Sequence, residues 1–268
     1  MDNCNRLFSK LWEQYTKESP EALTIYNLFI AQGENVTNDH VAFRTFDDPR
    51  VDVAALGKFF TNLGYVARGD YEFKVKKLFA QHFEHQTDPT QPKIFISQLQ
   101  TKEFSPLVQQ VARECVDKIS QIQLTTTDLL YSGVHWELDY TIYQKLLLES
   151  EYAAWLYVFG FRANHFTVLV NQLQALSSVE LVNKFLKQHN LTLNIAGGEI
   201  KGTPEQLLEQ SSTMANKVAI KFKQGTFEVL NSYYEFARRY PDKSGKLYQG
   251  FIAASADKIF ESTDVKHN

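Results

Sequence analysis

Two histidines stand at the start of apolar, alternating segments that are typical of β-strands. His40 opens the segment 40–46, and His165 lies at the start of the segment 164–170. This position predicts that each imidazole is held by a rigid strand. The other histidines are predicted to lie in polar loops or strand ends, at a helix end, beside a tryptophan or in the C-terminal tail: His82, His85, His135, His189 and His267.

A carboxylate would complete a metal site with these two imidazoles, because two histidines and one carboxylate are the ligand set of many non-haem iron oxygenases. Glu199 lies in a turn-like Gly-Gly-Glu-Ile sequence, whereas Glu235 lies in an aromatic, strand-like run. An unpaired carboxylate is costly to bury in such a run, and a metal ion would explain its position. An ion pair with Arg238 or Arg239 explains it equally well, so the residues alone leave both interpretations of Glu235 open.

The elements that must position these residues form a weak internal repeat. A strand that opens with a histidine, then a helix, then several strands occur in 35–100 and again in 161–268. Symmetric modules bring equivalent strands together, so the two histidines are expected to converge. We therefore predict an α+β fold of paired β-α-β-β-β modules that enclose a metal cavity. Helices at 1–34 and a helical insertion at 101–160 are expected to pack outside, and 1–268 is expected to act as a single functional unit.

Apolar periodicity predicts the boundaries of the other elements. Helices are expected over 53–63, 107–122, 140–159, 179–189 and 256–260, and strands near 69–74, 78–84, 93–99, 218–222, 226–230 and 232–237.

Composition excludes several classes of protein. The 268 residues carry a formal charge of −3, which gives no general attraction to nucleic acid or anionic lipid. No apolar run is long enough for a transmembrane helix, and the N-terminus does not resemble a signal peptide. Two cysteines form neither a disulfide framework nor a thiolate metal site. A cytoplasmic protein with no nucleic-acid or membrane partner is expected.

Three segments resemble the ligand strands of the vicinal-oxygen-chelate superfamily and its 2-oxo-acid dioxygenases. They are Asp39-His40-Val41-Ala42, Asn164-His165-Phe166-Thr167 and Tyr233-Tyr234-Glu235-Phe236. Arg239, Gly250-Phe251 and a terminal helix follow in the order found in 4-hydroxyphenylpyruvate dioxygenase. The chain is most similar to the 2-oxoadipate dioxygenase/decarboxylase family, whose His-x-x-x-Arg motif corresponds to residues 40–44. The resemblance covers most of residues 35–262.

This resemblance implies that His40, His165 and Glu235 bind Fe(II), with Zn, Mn, Ni or Co as alternative metals in a purified form. It implies oxidative decarboxylation and hydroxylation of a 2-oxo dicarboxylic acid with O2. The substrate expected is 2-oxoadipate, which would give 2-hydroxyglutarate and CO2 in lysine catabolism. Arg44 is expected to bind the distal carboxylate of the substrate, and Ser255, in the loop 249–255, is expected to contact it.

Other interpretations remain open. A structural ion pair with Asp47 or Asp48 would explain Arg44 without a substrate. A metal-dependent isomerase or lyase could use the same scaffold, although the two-histidine, one-glutamate set favours O2 chemistry. A hydrolase is less favoured because the chain has no Gly-x-Ser-x-Gly or His-Glu-x-x-His motif. A non-catalytic small-molecule binding protein predicts that the three proposed ligands do not converge.

Overall fold

The computed structural model describes residues 3–263 as a mixed α+β fold. Strands make up much of the described chain: β1 (Asn38–Phe46), β2 (Tyr65–Phe73), β3 (Leu78–His85), β4 (Lys93–Leu99), β5 (Ala163–Leu169), β6 (Lys201–Thr203), β7 (Leu208–Ser212), β8 (Lys217–Phe222), β9 (Gly225–Leu230) and β10 (Glu235–Arg239). The α-helices are α1 (Asn3–Glu18), α2 (Pro20–Ala31), α3 (Val53–Thr61), α4 (Pro106–Asp117), α5 (Gln121–Leu124), α6 (Tyr140–Glu149), α7 (Glu151–Phe159), α8 (Val179–Gln188) and α9 (Ala253–Phe260). Within residues 3–263, no helix is both long and apolar enough to cross a bilayer.

The predicted repeat is present in the order of the elements. The first module runs β1-α3-β2-β3-β4, and the second runs β5-α8-β6-β7-β10, with the β8-β9 hairpin inserted before its last strand. Both modules therefore follow the β-α-β-β-β pattern predicted from the sequence.

One compact unit contains Ala42–Asn164, Lys217–Leu230 and the described residues up to Tyr15. The strand order in its sheet is β2-β3-β4-β1. Helix α3 packs closely on one face, because a Cβ at Gly57 would lie only 2.6 Å from the ring of Phe83 on β3. The hairpin β8-β9 is held in the same unit by ring stacking, with the Tyr140 and Phe227 centroids 3.6 Å apart.

The other compact unit contains Thr16–Val41, His165–Asn216 and the described residues from Asn231 onward. The strand order in its sheet is β5-β10-β7-β6, in which β10 runs parallel to β5 and antiparallel to β7. One face of this sheet packs against helices α2 and α8. There the Phe236 ring lies against Phe29, which also contacts Phe185, and the Ser211 hydroxyl donates to Asn183 Oδ1 at 2.7 Å.

The compact units are interleaved along the chain. Strands β1 and β5 each begin in one unit and end in the other, so the units do not follow the consecutive segments 35–100 and 161–268. A repeat visible in sequence order therefore does not delimit the groups of residues that pack together.

Several predicted elements have different bounds in the structure, and hydrogen bonds account for three of the differences. Ser120 caps a new helix with a reciprocal capping box, which divides the predicted helix 107–122. Ser150 ends α6 and caps α7, which divides the predicted helix 140–159. The predicted strand 232–237 begins only at Glu235, because the backbone N–H of Tyr234 donates to the Thr213 hydroxyl. His267, predicted to lie in a tail, is outside the described residues.

Candidate metal centre

Strand register places the polar residues of the second unit on one face of its sheet. Glu235 on β10 is opposite Thr167 on β5, and His165 lies two residues before Thr167 on the same face. On the other side, Glu235 is opposite Ser212 on β7, so Gln210 shares that face too. The face that carries these side chains is opposite to the face that packs on α2 and α8.

Three buried side chains converge there as a possible metal-binding cluster. The ligand atoms of His40, His165 and Glu235 all lie within 4.8 Å of one another. Glu235 Oε2 is 3.0 Å from His165 Nε2, and Glu235 Oε1 is 3.7 Å from His40 Nε2. Each of the three residues is at most 4% exposed. The convergence predicted from the sequence is therefore present.

An ion pair behind His40 fixes which ring nitrogen faces the cluster. Asp39 Oδ1 lies 2.8 Å from His40 Nδ1, and the same carboxylate accepts from Arg239 Nε at 2.6 Å and Nη2 at 2.8 Å. Arg239 Nη1 also donates to the carbonyl oxygens of Tyr248 and Gly250. With the proton on Nδ1 held by the carboxylate, Nε2 of His40 carries the lone pair. Nε2 lies 3.0 Å from the Thr167 hydroxyl, and a metal ion at the cluster would take the place of that contact.

Neighbouring side chains hold the other donors in place. The Tyr233 ring stacks on His165 with centroids 4.5 Å apart, and the Phe251 ring meets His40 edge-on at 4.8 Å. Gln210 Nε2 donates to Glu235 Oε1 at 2.6 Å. These contacts leave few alternative rotamers for the ligands, which is the preorganisation that a metal site needs.

The Glu235 carboxylate is ionised in this environment. Burial by itself raises the pKa of Glu235, but electrostatic interaction with the nearby imidazoles of His40 and His165 and the hydrogen bonds at the carboxylate outweigh burial and lower the pKa. A carboxylate and two imidazoles, all buried and mutually close, fit a divalent transition-metal ion.

Glu199, the other candidate carboxylate, lies elsewhere. It is only partly buried and forms an ion pair with Lys187, with Nζ 3.0 Å from both carboxylate oxygens. The structure therefore joins Glu235, and not Glu199, to the two histidines.

Arg44 is buried in strand β1 of the first unit. Its guanidinium carbon lies 4.8 Å from the centroid of Tyr152 and 5.0 Å from that of Trp155, and Nη1 is 3.6 Å from Glu151 Oε2. A planar cation held between aromatic faces at this depth is suited to bind a carboxylate in a fixed orientation.

The expected structural partners of Arg44 have other contacts. Asp47 accepts hydrogen bonds from the backbone N–H and the hydroxyl of Thr101. Asp48 forms an ion pair with Arg50 at 2.7 Å. The ion pair that Arg44 makes is with Glu151, which the sequence analysis did not consider.

Ser255 lies at the start of helix α9 and is buried. A Cβ at Gly202 on β6 would lie 3.3 Å from its hydroxyl oxygen, so α9 packs directly on the edge strand of the second unit. The role of Ser255 in substrate contact stays a prediction.

The remaining histidines between residues 3 and 263 have structural partners. His82 was expected in a polar loop or strand end but is buried within β3, where its ring nitrogens contact the Tyr71 hydroxyl at 2.9 Å and Glu84 at 3.0 Å. His135 Nε2 forms a hydrogen bond with the Ser132 hydroxyl at 2.7 Å, and burial lowers the pKa of His135. His189 lies at the C-terminal end of α8, as predicted.

Sequence reasoning missed the supporting residues of the site. Asp39 was noted only as part of a motif, and Gln210 was not singled out. Arg239 was considered as an ion-pair partner of Glu235, but its ion pair is with Asp39. The adjacency of an aspartate to a candidate ligand histidine is the signal that could have identified Asp39, because metal-binding histidines commonly donate their second N–H to a carboxylate.

Comparison with solved structures first identifies the fold. A structure from Ralstonia eutropha JMP134, provisionally assigned to the glyoxalase superfamily, has a TM-score of 0.76 with 20% identity and covers 92% of this chain and 85% of that chain. This likeness shows that the two chains share a fold.

Comparison with protein families is more specific. The model of the 2-oxoadipate dioxygenase/decarboxylase family matches residues 7–133 and 126–246. The chloroplastic/amyloplastic 2-oxoadipate dioxygenase/decarboxylase of Oryza sativa subsp. japonica is 35% identical over 96% of this chain and 78% of its own length. The chain belongs to this enzyme family, which confirms the resemblance stated from the sequence.

Two further structures are similar along nearly the whole chain. Hydroxyglutarate synthase from Oryza sativa, solved in complex with 2-oxoadipate, has a TM-score of 0.91 with 33% identity and covers 98% of this chain and 92% of that chain. A structure from Shewanella frigidimarina NCIMB 400, provisionally described as a hydrolase, has a TM-score of 0.89 with 50% identity. The match covers 94% of this chain and 99% of that chain.

Proposed function

We propose that this protein catalyses the Fe(II)-dependent conversion of 2-oxoadipate and O2 to 2-hydroxyglutarate and CO2. The observation that carries the proposal is the buried cluster of His40, His165 and Glu235 in a chain of the 2-oxoadipate dioxygenase/decarboxylase family. The rice neighbour with 2-oxoadipate bound supports the choice of substrate.

In this proposal His40 and His165 supply neutral nitrogen donors, and Glu235 supplies the one negative charge. A bound Fe(II) supplies the redox chemistry that allows O2 to react with a 2-oxo acid, and three protein donors leave coordination positions for small molecules. Asp39 keeps the proton of His40 on Nδ1, away from the metal side. Phe251 and Tyr233 pack on the ligand rings and exclude water from one side of each.

Arg44 is proposed to bind the distal carboxylate of the substrate. Its burial and its contacts with two aromatic rings support this role, because they fix the guanidinium in one plane. Arg44 follows His40 by four residues in strand β1. Ser255 is proposed as a further substrate contact, and its burial at the start of α9 is compatible with a hydroxyl held in a fixed position.

The test is metal analysis of protein purified without oxygen, followed by O2 uptake with a panel of 2-oxo acids. We expect one equivalent of iron, and consumption of O2 matched by equal amounts of CO2 and 2-hydroxyglutarate from 2-oxoadipate. 2-Oxohexanoate, which has the same length but lacks the distal carboxylate, should react poorly. Turnover without O2 would refute the proposal and favour an isomerase, lyase or hydrolase.

A matched pair of variants tests the choice of metal ligands. Glu235→Ala should lose both bound metal and activity, because two neutral imidazoles do not compensate the charge of the ion. Glu199→Ala removes a carboxylate of the same type and should keep both. Loss of metal from the Glu199 variant alone would show that the wrong carboxylate has been assigned.

A further inference from the structure

Lys201 is a buried cation in the second unit that the proposed function does not use. It lies on the edge strand β6 and is 3% exposed. A lysine this deeply buried is rare unless an anion accompanies it, because removing an ammonium group from water is costly.

Strand register places Lys201 on the face that carries the metal cluster. Lys201 is directly opposite Gln210 on β7, and directly opposite residues project from the same face of a sheet. Gln210 in turn donates to Glu235 Oε1. Strands β6 and β10 flank β7, so the backbones that carry Lys201 and Glu235 are about two strand spacings, or roughly 10 Å, apart.

The contacts of the ammonium group lack a counter-ion. Lys201 Nζ donates to the backbone carbonyl of Asn194 at 2.5 Å, which is a neutral acceptor. Asn194 is itself fixed, because its side chain donates to the Lys258 carbonyl and to the Ser262 hydroxyl. Among residues 3–263, no carboxylate oxygen lies within 4.0 Å of Lys201 Nζ, the largest distance counted as an ion pair.

We propose that Lys201 binds a carboxylate of the substrate at the metal centre, as its counter-ion. This proposal rests on the proposed function and adds a substrate-binding residue to it. A 2-oxo dicarboxylate carries two negative charges, whereas a divalent ion beside the Glu235 carboxylate offers a net charge of only +1. The charge of Arg44 is already shared with Glu151. Lys201 lies on the face of the cluster and has no protein counter-ion among the described residues. It supplies a further positive charge beside the substrate carboxylate at the metal centre, while the distal carboxylate stays with Arg44.

Three carboxylates influence the charge of Lys201 without touching its ammonium group. Burial lowers the pKa of Lys201 to about 8, against the opposing influence of Glu235, Glu261 and Glu199. An anion bound next to the ammonium would restore the charged form. Lys201 is therefore a charge-compensating residue for the ligand, not a ligand of the metal.

The experiment measures ligand binding to the iron-loaded protein under nitrogen, where no turnover occurs. Calorimetric titrations with 2-oxoadipate and with oxalate are compared for the native protein, Lys201→Met and Lys221→Met. Met matches the length of the lysine stem without its charge, and Lys221 is an exposed lysine of the β8-β9 hairpin that serves as the control.

Lys201→Met should bind 2-oxoadipate at least about 30-fold more weakly, because a buried charge pair has lost one partner. Its iron content should be unchanged, its melting temperature without ligand should rise, and the increase in melting temperature on adding 2-oxoadipate should shrink. Lys221→Met should bind within twofold of the native protein. If Lys201→Met does not fold, Lys201→Gln removes the charge but keeps a donor for Asn194, and the same loss of affinity is expected.

Unchanged affinity of the folded Lys201 variant for both anions would overturn the proposal, as would native protein that binds neither anion. Failure of the proposed function has a different signature. Native protein that binds 2-oxoadipate but consumes no O2 would refute the oxidation, while the difference between native protein and Lys201→Met would still decide the role of Lys201.

Discussion

Replacement of Asp39 by asparagine tests whether the ion pair behind His40 controls the metal centre. The Asp39 carboxylate accepts two hydrogen bonds from Arg239 and lies 2.8 Å from His40 Nδ1. Asparagine keeps the size of the side chain but removes the charge, and its NH2 group must then face a donor of Arg239 or of His40. Among residues 3–263, the other hydrogen bonds described above for the Arg239 guanidinium go to neutral backbone carbonyls, so Arg239 would lose its charged partner.

Two magnitudes follow for Asp39→Asn. Breaking a buried ion pair by neutralising one partner typically costs about 3–5 kcal/mol, so the free energy of unfolding should fall by roughly that amount. Loss of the carboxylate that orients a ligand histidine typically weakens metal binding by about 10–100-fold. Asp47→Asn is the control, because Asp47 directly follows the same strand but is only partly buried and accepts from Thr101.

Urea denaturation of the metal-free protein and titration with Fe(II) under nitrogen measure the two effects separately. We expect Asp47→Asn to change the free energy of unfolding by about 1 kcal/mol and to leave metal affinity unchanged. If Asp39→Asn retained native metal affinity, the argument that Asp39 selects the tautomer of His40 would be wrong. If its stability were also native, the buried ion pair itself would be in doubt.

Three further predictions concern other parts of the chain. Arg44→Lys should raise the KM for 2-oxoadipate by about 30-fold or more without loss of metal, because lysine cannot form the planar two-point contact, and equal losses with 2-oxohexanoate would contradict this. Between pH 8 and 10.5, Lys201 is protonated in the unfolded chain but mostly neutral in the folded protein. The free energy of unfolding of the native protein should therefore rise over this range, relative to that of Lys201→Met, by up to about 3 kcal/mol. Parallel pH profiles of the two proteins in urea denaturation would refute this prediction. Gly57→Ala should lower stability by about 1–2 kcal/mol in the same assay despite its better helix propensity, because the added Cβ would lie 2.6 Å from Phe83; a stabilised variant would show that the ring can move away.

Local patterns were enough to predict much of the fold. The alternating segments at His40 and His165 were predicted as strands, and the repeated β-α-β-β-β order is present. The breaks at Ser120 and Ser150 were missed because apolar periodicity continues across them. Each break depends on a hydroxyl that caps the next helix, and a serine within a periodic run does not by itself indicate that it will cap.

The candidate site shows where sequence information ends. Composition and spacing brought Glu235 into consideration, but the choice against Glu199 came from family resemblance, and the geometry now supports it. The pairing of Asp39 with Arg239 joins residues far apart in the chain, which no local pattern reveals. Lysine is usually exposed, so the burial of Lys201 had no signal in the sequence.

The interleaving of the compact units bears on the order in which the protein can fold during synthesis. The unit that holds the metal cluster needs Thr16–Val41, His165–Asn216 and the segment from Asn231, so its sheet lacks β10 until the residues up to Arg239 have left the ribosome. Closing such long connections is a slow step, because their entropy is lost before the contacts form. His40 is therefore made early but acquires its partners late. A chain cut short before Glu235 would retain two imidazoles and the helices around them, yet it would have no carboxylate ligand and no strand between β5 and β7.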